Sequence, residues 1–266
     1  MSLHRSLYYV LIGIVFIISI PEINAQQSPQ MTDTASDSFI LPKKKNKWIA
    51  PVVISVAYPT LIYVCYKNWD TGIQDESQEG KTAFKTFISK SVTNLGLGKY
   101  QALGLAGTSI FAFASRNEKL KRAVITWAGG LVINSILTDQ LKKTFQRHRP
   151  NTGDPYNSFD WRNGSKFHKS FPSAHTSNAF TAATVFATIY KDKKWVAPVA
   201  FSLATLVGLS RIYDNAHWGS DVLAGAAVGF LSAKAMNALY KVVSKKILFL
   251  PQAGINYYSF NMIYQF

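Results

Sequence analysis

Six apolar segments separated by short polar loops constrain this chain most. They are WIAPVVISVAYPTLIYVC (48–65), ALGLAGTSIFAFAS (102–115), AVITWAGGLVINSILT (123–138), TSNAFTAATVFATIY (176–190), WVAPVAFSLATLVGLS (195–210) and VLAGAAVGFLSA (222–233). Their Gly, Ala, Ser and Thr content suits close helix-to-helix packing. The pattern predicts an all-α bundle of five to six core helices. Most uncharged stretches fall short of the roughly 20 residues that a bilayer span prefers, which favours a soluble bundle. The basic loops SRNEKLKR (115–122) and YKDKKW (190–195), with YKVVSKK (240–246) after the last segment, fall on alternate connections. That is the positive-inside pattern, and it tips the reading towards membrane insertion.

The flanks differ in character. Residues 1–25 read as an export signal, with a basic start, an apolar run and a small residue, Ala25, before the cleavage point. An uncleaved anchor helix is the competing reading. Residues 26–47 form a polar linker ending in a lysine cluster, residues 48–245 the helical domain, and residues 246–266 a tail. In that tail Tyr258, Phe260, Met262, Tyr264 and Phe266 alternate with other residues, which predicts a short β-hairpin or strand.

With 29 Lys+Arg against 14 Asp+Glu, the formal charge of +15 calls for an anionic partner. The basic residues form no nucleic-acid motif, so phosphorylated substrates and anionic lipids remain. The lone cysteine, Cys65, sits in an apolar run and reads as a small buried hydrophobe. No thiolate metal site can be built from it.

Three polar stretches interrupt the apolar pattern where helices begin or end. In LKKTFQRHRP, Lys142 and Arg149 are seven residues apart, close to two helical turns, which predicts both cations on one helix face. In FPSAHTSNAF, Pro172 suits a helix first turn, and Ser173 with the amides that follow makes an anion site. In SRIYDNAHWGSD, Arg211 precedes His217 and Asp221, spaced i and i+4, so that the carboxylate can orient the imidazole. A hairpin order of helices brings these stretches to one end of the bundle. Three cations and a helix start would bind a dianion, one carboxylate-backed histidine would act as nucleophile, and His175 would protonate a leaving oxygen.

Lys142-x6-Arg149-Pro150, Pro172-Ser173-Ala174-His175 and Ser210-Arg211-x5-His217-x3-Asp221 together resemble the three-part signature of the type 2 phosphatidic acid phosphatase family. Class A acid phosphatases and vanadium haloperoxidases share its core. Where Ala174 stands, the family usually has glycine. The resemblance implies that His217 forms a phosphohistidine, Asp221 holds its ring and His175 is the general acid. It assigns Lys142, Arg149, Ser173, the Ala174 amide and Arg211 to the phosphate oxygens, with no metal or other cofactor. His148 and His168 have no place in the motifs and read as solvated or substrate-loop residues. Trp161 and Phe167 could rim an acyl-chain entrance or simply pack the loop. The expected activity is hydrolysis of a lipid phosphate monoester or pyrophosphate at the periplasmic face of the inner membrane, without an obligate protein partner. The lipid could be lipid A, phosphatidylglycerol phosphate, phosphatidate or undecaprenyl pyrophosphate. A soluble periplasmic acid phosphatase is the alternative, with a haloperoxidase or a non-catalytic anion-binding membrane protein more distant.

Overall fold

The structure is a computed structural model that describes residues 49–162, 168–254 and 257–264. The expected signal, the linker and Phe167 lie outside the described residues.

Helix α1 (Ile49–Val64) runs through a π turn (Cys65–Trp69) into α2 (Asp70–Gln78). Next come α3 (Ala83–Thr93), α4 (Gly98–Ala114) and α5 (Glu118–Phe145), then α6 (Ala174–Ile189), α7 (Val196–Tyr213) and α8 (Gly219–Lys246). The chain ends in β1 (Ile247–Gly254) and β2 (Tyr257–Tyr264), paired antiparallel with Ile247 opposite Tyr264.

Helix α6 is the hub, packed against α5, α7 and α8. Its sequence carries almost no charge because almost none of it meets solvent: Ala179, Phe180, Ala183, Val185 and Ala187 are all buried. Thr176, Ser177, Thr181 and Thr184 are buried among them, and Thr181 donates to the Ser177 carbonyl at 2.8 Å, so that hydroxyl needs no water. The close approach of α8 depends on Gly225 and Gly229. A Cβ on either would come within 2.5 Å of the Ser173 carbonyl oxygen or 2.2 Å of that of Ser177.

Helix length settles what the uncharged stretches left open. Helix α5 has 28 residues, because charges at both ends stop the apolar run without stopping the helix. Among the described residues three helices are long and apolar enough to cross a membrane: Glu118–Phe145, Val196–Tyr213 and Gly219–Ser244. Large apolar side chains such as Ile110, Phe111, Val132, Ile136, Leu203 and Leu231 point outward from the bundle. Such a belt has no reason to face water.

The ends of the bundle differ chemically. Lys119 pairs with Asp192 and lies over the Tyr190 ring, while Arg122 donates to Asn237 at 2.9 Å. All three basic segments therefore meet at one end. The C-terminus of α5, the N-terminus of α6, the C-terminus of α7 and the N-terminus of α8 gather at the other.

Candidate active site

Each motif residue is placed by the way its helix starts or stops. Helix α7 ends in a Schellman turn: Asn215 is left-handed, with φ +56°, the Ala216 amide donates to the Arg211 carbonyl at 3.1 Å, and that of Asn215 to Ile212 at 2.9 Å. The His217 amide also reaches the Arg211 carbonyl, at 3.3 Å, so the turn sets histidine and arginine side by side. Helix α8 then begins at Gly219, and Asp221 in its first turn accepts from the Trp218 amide at 3.0 Å. This is the reaching-back half of a capping box.

His217 is buried, with its Nδ1 3.6 Å from Asp221 Oδ2. The Ser170 hydroxyl lies between them, donating to Oδ2 at 2.6 Å and standing 3.4 Å from Nδ1. Nδ1 thus faces the carboxylate side, which leaves Nε2 as the nitrogen able to act on a substrate. Burial, first of all, pushes the His217 pKa down to about 3, and the Lys142 and Arg149 cations add to this against the opposing pull of Asp221. The ring is neutral at ordinary pH, as a nucleophile must be.

Ser173 is the N-cap of α6, and its Oγ accepts from the Thr176 hydroxyl at 2.9 Å. Its amide donates to the Asp221 carbonyl at 3.0 Å and ties the start of α6 to the start of α8. Ala174 is the first residue of α6, where a backbone N–H has no partner within the helix. Pro172 precedes the cap and is not in the first turn. His175 follows Ala174, half-buried, and Arg211, Arg149 and Lys142 all act on its ring electrostatically.

Lys142 and Arg149 do not share a helix face. Helix α5 stops at the left-handed Gln146, with φ +45°, and Arg149 follows on extended backbone. Lys142 reaches the Lys169 carbonyl at 2.6 Å from the last turn. Arg211 is held by Thr93 of α3 at 2.8 Å and by Asp214 at 2.9 Å. The Nε atoms of Arg149 and Arg211 are buried without a hydrogen-bond partner. Two guanidinium groups in that condition, beside a lysine and a helix N-terminus, suit a phosphate-sized anion.

Residues 123–245 match the family described as the PAP2 superfamily. This segment contains Lys142, Arg149, Ser173, His175, Arg211, His217 and Asp221 with the spacing that the site geometry requires. This matched segment belongs to the PAP2 superfamily. The chain is 34% identical over 165 residues to a lipid A 1-phosphatase of Porphyromonas gingivalis, covering 62% of this chain and 33% of that protein. It spans about a third to a half of the length of the curated relatives it matches. Among solved structures, LpxE of Aquifex aeolicus is similar, with a TM-score of 0.51 and 26% identity, covering 63% of this chain and 93% of that one. The first transmembrane PAP2 type phosphatidylglycerolphosphate phosphatase from Bacillus subtilis shares the fold, with a TM-score of 0.54 and 21% identity over 73% of this chain and 96% of that one. With three helices long and apolar enough to span a bilayer among the described residues, the chain is a membrane protein.

The PAP2 motifs do not include several residues that surround the site. Arg147, inside the first motif, is 1% exposed and donates to Asp221 Oδ1 and to Asp70 Oδ2, each at 2.7 Å. Burial works against its charge, but Asp221 and Asp70 outweigh it and hold the guanidinium firmly protonated. Its presence among the cations of QRHR was a signal, yet spacing alone could not turn it inward. Asp70 comes from the polar α2, and Ser89, which donates to Asp214 at 2.7 Å, and Thr93 come from α3, whose apolar residues Phe84, Phe87, Ile88 and Val92 are broken up by lysines and hydroxyls and form no continuous run. Cys65 is buried as expected, with its thiol 3.7 Å from Asp70 Oδ1.

His148 and His168 are not free in solvent. Their rings stack with centroids 3.6 Å apart, and His148 reaches Asp154 at 2.7 Å and Asp160 at 3.1 Å. Burial opposes its charge, but the two carboxylates prevail and raise its pKa above the ordinary imidazole value. Trp161 lies against Phe145, with ring centroids 5.2 Å apart, so the loop-packing role is filled.

Proposed function

We propose that the protein hydrolyses phosphate monoesters or pyrophosphates carried by membrane lipids. The observation that carries this reading is the neutral, carboxylate-backed His217 beside Arg149 and Arg211, whose buried Nε atoms lack partners. Lys142, Arg149 and Arg211 neutralise the phosphate oxygens, joined by the Ser173 hydroxyl and the Ala174 amide. Burial and the Arg211, Arg149 and Lys142 cations hold the His175 pKa down to about 4, and a bound phosphate dianion offsets those cations so that the ring takes up a proton. His217 Nε2 then attacks phosphorus as the P–O bond to the alcohol breaks, and His175 gives that proton to the departing oxygen. Water then attacks the phosphohistidine, His175 takes a proton from it, and the N–P bond breaks to release inorganic phosphate. The cations fill the charge-neutralising part that a metal has in other phosphatases, and Asp221 is already engaged by Arg147, Ser170 and the Trp218 amide.

A lipid substrate is favoured by an apolar cavity of about 530 Å³ whose lining includes Leu95, Trp127, Phe186, Leu203 and Val207. It is a groove along α4, α6 and α7 that runs from Tyr190 and Lys193 at the basic end to Leu95 and Val207, where a Cβ on Gly96 would meet both Val207 and the His175 carbonyl, so this end lies near the site. An acyl or prenyl chain there would contribute binding energy that positions the ester. The relatives bear on lipid A phosphate and phosphatidylglycerol phosphate as head groups, and phosphatidate and undecaprenyl pyrophosphate offer the same chemistry. The gathering of basic loops at the opposite end favours a site on the periplasmic face of the inner membrane.

Phosphate release from detergent-purified protein, measured on these lipids and on a soluble aryl phosphate with and without chelator, tests the reading. The expected result is faster hydrolysis of at least one lipid than of the aryl ester, unchanged by chelator. Equal rates on all esters, or loss in chelator that magnesium restores, would overturn it.

A further inference from the structure

Asp70 lies outside the segment that matches the PAP2 family, yet it is fully buried against the residue that holds the candidate nucleophile's carboxylate. The Arg147 guanidinium bridges the two aspartates, with Nη2 on Asp70 and Nη1 on Asp221, each at 2.7 Å. The rings of Tyr66, Phe159 and Trp218 surround it at 5.2 to 5.4 Å, and the Tyr156 carbonyl takes two further bonds. The guanidinium is buried, so bulk solvent does not share its charge.

Asp70 is itself fully specified. Its Oδ1 accepts from the Ser220 amide at 2.8 Å and its Oδ2 from the Ser220 hydroxyl at 2.5 Å, which fixes it at the N-terminus of α8. Its own amide closes the π turn by donating to the Cys65 carbonyl. Such turns insert one residue into a helix and recur where a side chain must be aimed.

We propose that Asp70 is a positioning residue that acts on His217 through Arg147 and Asp221. This rests on the phosphatase reading. The argument is one of charge. Burial raises the Asp70 pKa, against which Arg147 and Ser220 act by donating to its two oxygens; with Asp70 ionised, two carboxylates and one guanidinium leave the buried group with a net charge of minus one. When Nε2 bonds to phosphorus and the P–O bond to the alcohol breaks, the His217 ring keeps its Nδ1–H and becomes cationic. The spare negative charge then balances it. Without Asp70, Arg147 would neutralise Asp221 alone, and the new cation would form in a buried site that is already neutral. The phosphate-binding cations, Lys142, Arg149 and Arg211, do not touch Asp70, so anion binding should not depend on it.

The test measures phosphoenzyme formation by rapid quench and the affinity for inorganic phosphate as a competitive inhibitor in wild type and Asp70→Asn. The expected result is phosphorylation slowed about 10-fold or more, with phosphate affinity changed less than about 3-fold. Should Asp70→Asn fail to fold, Asp70→Ser carries the same test, because it removes the same negative charge with a smaller side chain and the same split is expected. A folded variant that phosphorylates at the wild-type rate overturns the proposal, as does one that loses rate and phosphate affinity in equal measure. A wild-type protein that forms no phosphoenzyme overturns the functional reading and this inference with it.

Discussion

His217 offers one nitrogen to the pocket and is oriented through the other, and both properties depend on its burial. Replacing His217 by Gln keeps the volume and a polar tip but removes the proposed nucleophile. Turnover should fall by at least about 1,000-fold with no phosphoenzyme left, measured by phosphate release and rapid quench. The same variant isolates a pH effect. The folded pKa of about 3 lies below the ordinary 6.5, so the unfolded chain binds a proton that the folded protein refuses. Stability from this residue is fully present above about pH 6.5 and is lost as pH falls towards about 3. Thermal unfolding in detergent should therefore show wild type losing more stability between pH 7 and pH 4 than His217→Gln does. Equal losses would mean that the neutral histidine is not favoured by the fold.

Among the elements, the packing of α8 on α6 is what keeps the motif ends in register. Gly229 faces the Ser177 carbonyl so closely that a Cβ would clash with backbone, which cannot move aside as a side chain could. Gly229→Val should destabilise the protein by about 1–3 kcal/mol and lower activity, because Ser173 and Asp221 are joined across the same interface. A thermal shift assay beside phosphate release checks both. The motif residues at these helix ends were legible in the sequence because each carries a charge or hydroxyl where an apolar run stops. The local path of the chain between them was less so. Lys142 and Arg149 were expected on one helix, but the left-handed Gln146 ends α5 between them, a choice made by tertiary contacts and not by a glycine or proline. Helix α2 is polar, and α3 is short with its apolar residues interrupted by Lys85 and Lys90, so neither shows as an apolar segment in the sequence. Their value to the site, through Asp70 and Thr93, comes from contacts more than 75 residues apart in sequence.

For the whole molecule, function requires that the pocket face the compartment holding the substrate, and charge distribution at the two ends makes a definite prediction. Lys119, Arg122, Lys193 and their neighbours gather at the end opposite His217, and such loops resist transfer across the inner membrane. The pocket end should therefore lie outside the cytoplasm. The single cysteine makes this easy to measure, because Cys65 is wholly buried and will not react with a bulky reagent. One variant places a cysteine at exposed Asn151, on the loop beside Arg149, and another at exposed Lys193 on the basic end. In right-side-out spheroplasts a membrane-impermeant maleimide should label Asn151→Cys and spare Lys193→Cys until the membrane is opened. The reverse pattern would turn the pocket towards the cytoplasm and overturn the periplasmic orientation, while leaving the chemistry of the site as argued. Labelling of both in sealed spheroplasts would mean that the two ends are not separated by the bilayer. The outward-facing apolar belt and the three long helices would then need another partner to cover them.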